Sequence, residues 1–502
     1  MFLDIALVLG KISKTSPINI ANEVLDHNKD KTLFSVFITE PGFVNFNVEL
    51  DYYINNLSDI LKNKKKFGKP TGKTQSANVE FVSCNPTGPL TIGHGRQAIL
   101  GDVISNILSW HNYKVTREYY YNDAGKQMQI LAESCYAKYA KKIGKKFEAP
   151  DNAYVGKYLD EIADKILKKF GKELNKKDEQ FRIFTEQQIF DNIQSTLNSL
   201  NVVFDVFSKE KSFYDNGSIN QVLEKLSKLS LTYEKDGATW FKTTKLGKKK
   251  DKVLVKSSGE PTYRLPDIAY HIDKVERGFD LIVDVFGADH IDSYPDILLA
   301  LDALGTPTNH IKVIIHQFVT LKKGNQIVKM STRKANFVTL DELIEKLNLD
   351  VIRYFFIMRG INTHLDFDLD LAMDESEKNP VYYLQYAHAR ISNLLKRFNK
   401  EIKGKNKINL SLLKEDDEIA LIKKLSDFPT KMNQVHESLE PKQLATYLED
   451  LAAHYHKFYG NHKVINQNNI DLSSARMKLC EATQIILKTG LSILGIQAPE
   501  KM

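Results

Sequence analysis

Apolar and polar positions along the middle of the chain predict strands and helices in alternation. The segment "RQAILGDVISNILSW" (96–110) carries Ile99, Val103 and Ile107 four residues apart, which places them on one face of a helix. Further strand or helix candidates are "ANVEFVS" (77–83), "KVTREYYY" (114–121), "DLIVDVFG" (280–287), "YPDILLALDALG" (294–305) and "HIKVIIHQFV" (310–319). Strands that alternate with helices predict a Rossmann-type, doubly wound α/β domain.

The two ends of the chain follow other patterns. Near the N-terminus, the alternating strand candidates "LFSVFIT" (33–39) and "GFVNFNV" (42–48) precede a helix candidate, "DYYINNLSDILKN" (51–63). Beyond about residue 370 only amphipathic helix signals remain. We therefore expect a small α+β domain over 1–75, an α/β domain over 76–369 with a helical insertion at about 124–235, and an all-α domain over 370–502.

Composition excludes several classes of protein. With 502 residues, 42% hydrophobic and 26% charged, the chain has the make-up of a globular protein of about three domains. It has no apolar run of about 18 residues and no signal-peptide pattern at its start, so we expect no membrane contact. Cys84, Cys135 and Cys480 form no CxxC pair, which predicts neither a zinc site nor disulfides and favours a cytoplasmic protein.

The net charge of +7 is concentrated in lysine clusters. These clusters lie at 61–69, 141–148 and 245–252. One such cluster is typical of a solvated loop, but several together favour a polyanionic partner. Net charge does not distinguish RNA from DNA.

One loop is a candidate nucleotide site. In "CNPTGPLTIGHGRQAILGD" (84–102), Gly93, His94 and Gly95 stand where a helix begins. Helix N-termini carry free N–H groups and a partial positive charge, so they suit phosphate. Glycine lets a flat base approach the backbone, and we expect Gly95 and Arg96 to support the turn.

A second loop carries a cluster of cations. The segment "IVKMSTRKANFVTL" (327–340) contains Lys329, Arg333 and Lys334, which suit the crowded negative charge of a triphosphate. Ligands of doubly wound folds bind at the carboxyl ends of strands. The 84–102 loop follows one predicted strand and "GADH" (287–290) follows another, so both are expected at that edge.

These motifs together resemble a known family. "TIGH" is similar to the HIGH signature of class I aminoacyl-tRNA synthetases, and "KMSTR" is similar to their KMSKS loop. Longer blocks over 77–502 resemble arginyl-tRNA synthetases in the family's order, and residues 1–75 resemble its additional N-terminal domain without the first segment. The blocks are "VEFVSCNPTGPLTIGHGR", "DGATWFKTT", "TYRLPDIAYHIDK", "VFGADHID", "NPVYYLQYAHARI" and "LSILGIQAPEKM".

The resemblance implies a two-step reaction. The arginine carboxylate attacks the α-phosphate of ATP to give arginyl-adenylate, and the 3′ end of tRNA(Arg) then takes the arginyl group, with AMP and diphosphate released. The resemblance implies that ATP is used with Mg²⁺ as its counter-ion and that the protein holds no structural metal. The implied partners are tRNA(Arg), ATP and L-arginine, and we expect the protein to be a monomer. Residues expected to act on ATP or in catalysis are Thr91, Gly93, His94, Gly95, Lys329, Met330, Ser331, Arg333 and Lys334.

The resemblance also implies a pocket for the arginine side chain. A guanidinium favours planar, bidentate carboxylate partners. The family's positions fall on Glu210, Tyr263, Asp267 and His290 for this pocket, and on Ser83 and Asn85 for the α-amino end of the substrate. A pocket with two carboxylates also explains why no editing insertion is expected.

Three positions depart from the family's pattern. Thr91 replaces the first histidine of HIGH, and Thr332 replaces a lysine of KMSKS. Some family members compensate with a lysine just before HIGH, where this chain has Gly88. The alternatives are therefore a catalytically inactive, synthetase-like RNA-binding protein and another class I synthetase or adenylate-forming ligase. ATP–diphosphate exchange with arginine distinguishes them.

Overall fold

The computed structural model describes residues 2–26, 34–123, 126–324, 326–327, 339–402 and 408–502. The N-terminal unit is a three-stranded antiparallel sheet of order β1-β3-β2 with two helices packed on it, and both predicted strands are confirmed. The helix that follows buries Leu57 and Ile60 against the C-terminal helices. The elements are β1 (Phe2–Leu3), α1 (Ile5–Ser13), α2 (Pro17–Asp26), β2 (Phe34–Thr39), β3 (Phe43–Val48) and α3 (Leu50–Asn63).

The middle of the chain forms the α/β domain. Its first half contains β4 (Gln75–Glu80), α4 (Ile92–Trp110), β5 (Tyr113–Tyr121), α5 (Lys126–Lys142), α6 (Lys157–Phe170), α7 (Glu179–Ser199), β6 (Val206–Lys209), α8 (Glu210–Asp215) and α9 (Ser218–Lys228). Its second half contains β7 (Thr232–Lys235), β8 (Ala238–Phe241), β9 (Lys252–Val255), α10 (Arg264–Glu276), β10 (Leu281–Gly287), α11 (Tyr294–Ala303), β11 (Ile311–His316), β12 (Val319–Lys323), β13 (Gln326–Ile327), α12 (Leu340–Ile344), α13 (Leu349–Ile357), β14 (Leu365–Asp368) and α14 (Leu369–Met373).

A five-stranded sheet of order β11-β10-β4-β5-β6 is the frame of this domain. All four pairs of neighbours are parallel, which confirms the predicted α/β fold. Val79 on β4 and Val283 on β10 are fully buried, as expected for strands covered by helices on both faces. Because β4 and β10 are adjacent and parallel, the loops after them meet at one edge.

Two parts of the fold differ from the prediction. The run "HIKVIIHQFV" was predicted as one strand, but β11 ends at His316 and β12 belongs to a separate sheet of order β13-β12-β14. The chain leaves the first sheet because the N–H of Gln317 donates to the carbonyl of Ile361 (3.0 Å). The segment 124–235 is not wholly helical, since β6 extends the parallel sheet and β7 starts an antiparallel sheet with β8 and β9.

The C-terminal part is helical, as its amphipathic pattern predicts. Its long helices bury apolar faces against one another and against α3, with Leu421, Leu448 and Leu487 fully buried. Among the helices of the described residues, none combines the length and apolar character that crossing a membrane requires. The elements are α15 (Pro380–Glu401), α16 (Asp416–Ser426), α17 (Phe428–Ser438), α18 (Pro441–Asn461) and α19 (Ile470–Ile493).

Candidate active site

The loop after β4 leaves the sheet through a strained turn. Val82 and Ser83 have φ angles of +68° and +37°, which side-chain-bearing residues rarely adopt. The Ser83 hydroxyl accepts a hydrogen bond from the N–H of Tyr120 (3.0 Å), which holds the turn against β5. Backbone strain of this kind is typical of functional sites, where the surrounding structure maintains it.

The helix that follows is capped by two residues of the signature. Thr91 precedes α4, and its N–H donates to Nδ1 of His94 (3.1 Å). That nitrogen therefore carries no proton, and neutral His94 has its proton on Nε2. Burial lowers the pKa of His94 to about 4, so the ring is neutral at neutral pH. Threonine is a good N-cap residue, which gives Thr91 a structural use at this departure from HIGH.

The two glycines of the signature have different surroundings. A Cβ at Gly93 would meet only Thr91 Oγ1, at 3.7 Å, so this side of the turn is open. A Cβ at Gly95 would lie 2.7 Å from Leu340 Cδ1 and 3.0 Å from the ring of Phe356. Gly95 is therefore required by packing inside the domain, and its contact with ATP stays a prediction.

Two carboxylates, buried Glu210 and partly buried Asp267, lie near Tyr120. Glu210 begins α8 and is 6% exposed, while Asp267 lies in the first turn of α10. Burial, together with Asp267, raises the pKa of Glu210 to about 7, and burial raises that of Asp267 to about 6. Tyr120 donates its hydroxyl to Glu210 Oε2 (3.2 Å). Within the described part of the chain, neither carboxylate forms a salt bridge.

A neutral charge network lies beneath this pair. The fully buried ammonium of Lys274 donates to Glu80 and to Asp284 (2.6 Å). His271 faces an acceptor with each ring nitrogen, the backbone carbonyl of Asp267 (2.7 Å) and the Asp284 carboxylate (3.1 Å). Only an imidazolium satisfies both, and although burial and Lys274 oppose it, Asp284 raises the pKa of His271. Two cations thus balance two carboxylates, so this network leaves no surplus cation to pair with Glu210 and Asp267.

The mouth of the pocket contains a chain of side-chain amides. Asn85 donates to Gln127 Oε1 (2.6 Å), and Gln127 donates to the Tyr263 hydroxyl (3.2 Å). Tyr263 is 63% exposed, so it lies at the rim and not in the buried part. His290 is also at the rim, stacked on Phe286 with ring centroids 4.9 Å apart.

Gln127 and Tyr120 are polar neighbours of the site that sequence reasoning missed. Gln127 lies in a Lys-rich segment with a helical pattern, and Tyr120 lies in the aromatic run of β5. Nothing in either local pattern indicates a contact with residues far away in the sequence. Only the structure reveals them, through the hydrogen bonds between Gln127 and Asn85 and between Tyr120 and Glu210.

The second predicted loop lies largely outside the described residues. The predictions for Lys329, Met330, Ser331, Arg333 and Lys334 concern residues 328–338, which the structure does not describe. Where description resumes, Thr339 forms a β-bridge with Thr91, and the N–H of Leu340 donates to the carbonyl of Leu90 (2.9 Å). The chain thus returns from this loop directly to the start of α4. No group of His, Cys, Asp or Glu side chains in the described ranges has the arrangement of a metal site.

Comparison with known proteins identifies the class. A family model described as "tRNA synthetases class I (R), catalytic domain" matches residues 56–352, so fold and signature loop define a class I aminoacyl-tRNA synthetase. The models "Arginyl tRNA synthetase N terminal domain" and "DALR anticodon binding domain" match residues 1–48 and 384–502. The chain belongs to the arginyl-tRNA synthetases, as the sequence blocks indicate.

Relatives of nearly equal length support this assignment. The arginine–tRNA ligase of Salinibacter ruber is 46% identical over 520 residues, covering 100% of this chain and 92% of the relative. That of Desulfotalea psychrophila is 44% identical, covering 99% and 92%. The solved arginyl-tRNA synthetase of Thermus thermophilus has the same fold, with a TM-score of 0.77 at 21% identity over 99% of this chain and 93% of that chain. The chain is therefore an aminoacyl-tRNA ligase, and the inactive RNA-binding alternative is not favoured.

Proposed function

We propose that the protein activates L-arginine with ATP and transfers it to the 3′ end of tRNA(Arg). The observation that carries this proposal is a pair of neighbouring carboxylates, buried Glu210 and partly buried Asp267, that forms no salt bridge within the described residues. The N-terminus of α4 supplies a phosphate site in the same domain. A cationic substrate side chain supplies the positive charge that the pocket lacks, while the helix start receives phosphate. Both groups lie at the carboxyl edge of the parallel sheet, where doubly wound folds bind ligands.

The first step depends on positioning and on charge neutralisation. The arginine carboxylate attacks the α-phosphate of ATP, which forms arginyl-adenylate and releases diphosphate. Neutral His94 donates from Nε2 toward the phosphates, and the open face at Gly93 accommodates the adenine ring. Ser83 and Asn85 hold the α-amino end, and Tyr263 and His290 close the rim above the guanidinium.

The second step uses the ribose at the 3′ end of tRNA(Arg). One of its hydroxyls takes the arginyl group from the adenylate, and AMP leaves. A class I synthetase uses ATP, and we propose that Mg²⁺ enters with the ATP phosphates as their counter-ion. Lys329, Arg333 and Lys334, with Met330 and Ser331 between them, are proposed to meet the departing diphosphate.

The pocket discriminates among amino acids by charge and shape. A guanidinium offers a planar fork of N–H donors that two carboxylates can share, whereas lysine offers a single point charge. Lysine would leave one buried carboxylate unpaired, which is costly in a low-dielectric site. Amino acids without a cation would leave both unpaired. Specificity of this kind needs no separate editing step.

The remaining assignments concern partners and setting. We propose tRNA binding by the helical domain and the basic N-terminal region, with domain limits at about residues 75 and 370. The protein is proposed to be a cytoplasmic monomer, and the three free cysteines, Cys84, Cys135 and Cys480, support a reducing compartment. Family resemblance adds that adenylate formation requires bound tRNA.

The test is ATP–diphosphate exchange with arginine, measured with and without tRNA(Arg), together with charging of tRNA(Arg). We expect exchange that depends on arginine and on tRNA, and charging with arginine but not with lysine. Asp267→Asn is expected to weaken arginine binding far more than ATP binding. Absence of arginine-dependent exchange and of charging in the intact protein would show that the proposed function is wrong.

A further inference from the structure

An arginine of the signature ties the start of α4 to a distant loop. Arg96 is fully buried. Its Nη1 donates to the carbonyls of Gln317 (2.7 Å) and Thr363 (3.0 Å), and its Nη2 donates to the carbonyl of Gly360 (2.9 Å). This residue lies two positions after His94 in the same helical turn. A contact that holds the loop 358–364 in place therefore also holds the first turn of α4, which faces phosphate in the proposed function.

The same loop is held from the other side by the helical domain. Glu440 precedes α18, but its carboxylate does not cap that helix. Its Oε2 accepts a hydrogen bond from the N–H of Ile361 (3.1 Å). The carbonyl of Gly360 and the N–H of Ile361 belong to one peptide group. A single peptide bond thus links the guanidinium of Arg96 to the carboxylate of Glu440.

The electrostatics of this bridge are favourable. The peptide points its carbonyl at a cation and its N–H at an anion, so both hydrogen bonds are charge-assisted and polarise each other. Burial lowers the pKa of Arg96 to about 10, and Glu440 is the charge that opposes this shift. The other oxygen of Glu440 is buried and has no hydrogen-bond partner in the described ranges, so the carboxylate depends on this one contact.

The loop also continues into a neighbouring sheet. Residues 358–364 run into β14, which pairs in parallel with β12. β12 precedes β13 and the basic segment 328–338. The Gly360–Ile361 peptide is therefore held between Arg96 of α4 and Glu440, in a loop that continues into the sheet of β12.

We propose that Glu440 is a positioning residue for adenylate formation, acting through the Gly360–Ile361 peptide on Arg96. By this contact the helical domain sets the orientation of the first turn of α4. The proposal rests on the proposed function, because it assigns that turn to the phosphates of ATP. It predicts that removing the charge of Glu440 slows the chemical step without affecting the arginine pocket.

The test compares Glu440→Gln with Glu449→Gln. Glu449 is a matched control, since it lies on α18, the helix that Glu440 precedes. It accepts a hydrogen bond from the Tyr354 hydroxyl across the same junction, without contact to Arg96. Single-turnover adenylate formation is measured with saturating arginine, ATP and tRNA. We expect Glu440→Gln to slow it about 3- to 30-fold, the range for residues that transmit coupling without touching a ligand. The arginine KM stays constant, and the control keeps the wild-type rate.

A second readout does not require activity. Hydrogen exchange of the amides at 92–98 is expected to be faster in Glu440→Gln and unchanged in Glu449→Gln. Arg96→Lys combined with Glu440→Gln is expected to slow the step no further than Arg96→Lys alone. Equal rates and equal exchange in the two glutamine variants would overturn the proposal, as would fully additive effects with Arg96→Lys. A wild-type protein without arginine-dependent exchange would refute the proposed function, while the hydrogen exchange would still test the bridge.

Discussion

Arginine binding is expected to release protons, because the two pocket carboxylates are partly protonated in the free protein. The pKa of Glu210 is about 7 and that of Asp267 about 6, both raised chiefly by burial. A guanidinium binds their ionised forms. Lowering the pH from about 7.5 to about 5.5 therefore protonates the two carboxylates of the free protein, and these protons must be released when arginine binds.

The size of the effect follows from these two values. With apparent pKa values of about 7 and about 6 for the pair, the doubly ionised form becomes about two orders of magnitude rarer between pH 7.5 and pH 5.5. The affinity for arginine should thus fall about 100-fold over this interval, with about 1.4 protons released per arginine bound near pH 6. His94, with its pKa lowered to about 4, stays neutral throughout and should add no pH dependence to the binding of ATP.

Calorimetry in buffers of different ionisation enthalpy measures the proton release directly. Glu210→Gln serves as the internal comparison, because it removes the group with the higher pKa and leaves only Asp267 to titrate. Its affinity is lower at every pH, but its dependence between pH 5.5 and 7.5 should shrink to about fourfold. An affinity that is constant over this range, or a dependence that is equally steep in Glu210→Gln, would refute the reasoning.

The same two groups affect stability with a defined sign. Their folded pKa values, about 6 and about 7, lie above the ordinary values of 3.8 and 4.5, so the folded protein binds more protons in between. Their contribution to the stability of the arginine-free protein is therefore lost as pH rises from about 4 to about 7. Saturating arginine should raise the Tm more at pH 7.5 than at pH 5.5.

Three further predictions follow from other parts of the structure. Gly95→Ala should lower the free energy of unfolding, measured in urea, by about 1–3 kcal/mol, because its Cβ would lie 2.7 Å from a neighbouring side chain. Gly93→Ala should fold normally and raise the KM for ATP. Lys274→Met should cost about 3–5 kcal/mol, because it leaves the buried carboxylate of Glu80 without its cation and Asp284 with His271 alone. Lys138→Met at a surface ion pair should cost about 0–1 kcal/mol, and equal losses in the two variants would contradict this. Lys334→Ala should slow single-turnover adenylate formation about 100-fold with unchanged KM values, and an unchanged rate would exclude its role.

The parts of the fold that the sequence predicts are those with long or strongly patterned elements. β10 is strongly apolar, with Asp284 as its one charged residue, and α15, α18 and α19 repeat their apolar faces over many turns. Strands of four residues, such as β6 and β7, are too short for alternation to be distinguished from a helical segment. β6 is a strand because the edge of β5 supplies its hydrogen-bond partners, which is a tertiary cause.

The site was predicted from family motifs, and the structure adds what the motifs do not contain. Glu210 and Asp267 lie 57 positions apart in the sequence, yet the charge of Asp267 contributes, after burial, to the raised pKa of Glu210. The protonation state of His271 depends on two acceptors that only the packing of α10 on β10 brings together. Tyr263 was assigned to the pocket, and its exposure places it at the rim.

The proposed substrates tRNA and arginine carry opposite charges, and we expect the protein to bind tRNA at its surface and the arginine side chain in a pocket. The net charge of +7 lies in surface lysines, as in the cluster at 245–252, and such a field attracts RNA over a distance. The same field repels free arginine, so recognition of arginine has to act at short range. Burial of Glu210, with partly buried Asp267 near it, achieves this, because attraction in a low-dielectric pocket is strong and little screened by salt. The neutral network beneath them, centred on Lys274, supports the fold without cancelling their charge. A lysine-rich surface and an acidic pocket are therefore compatible only because the second is buried.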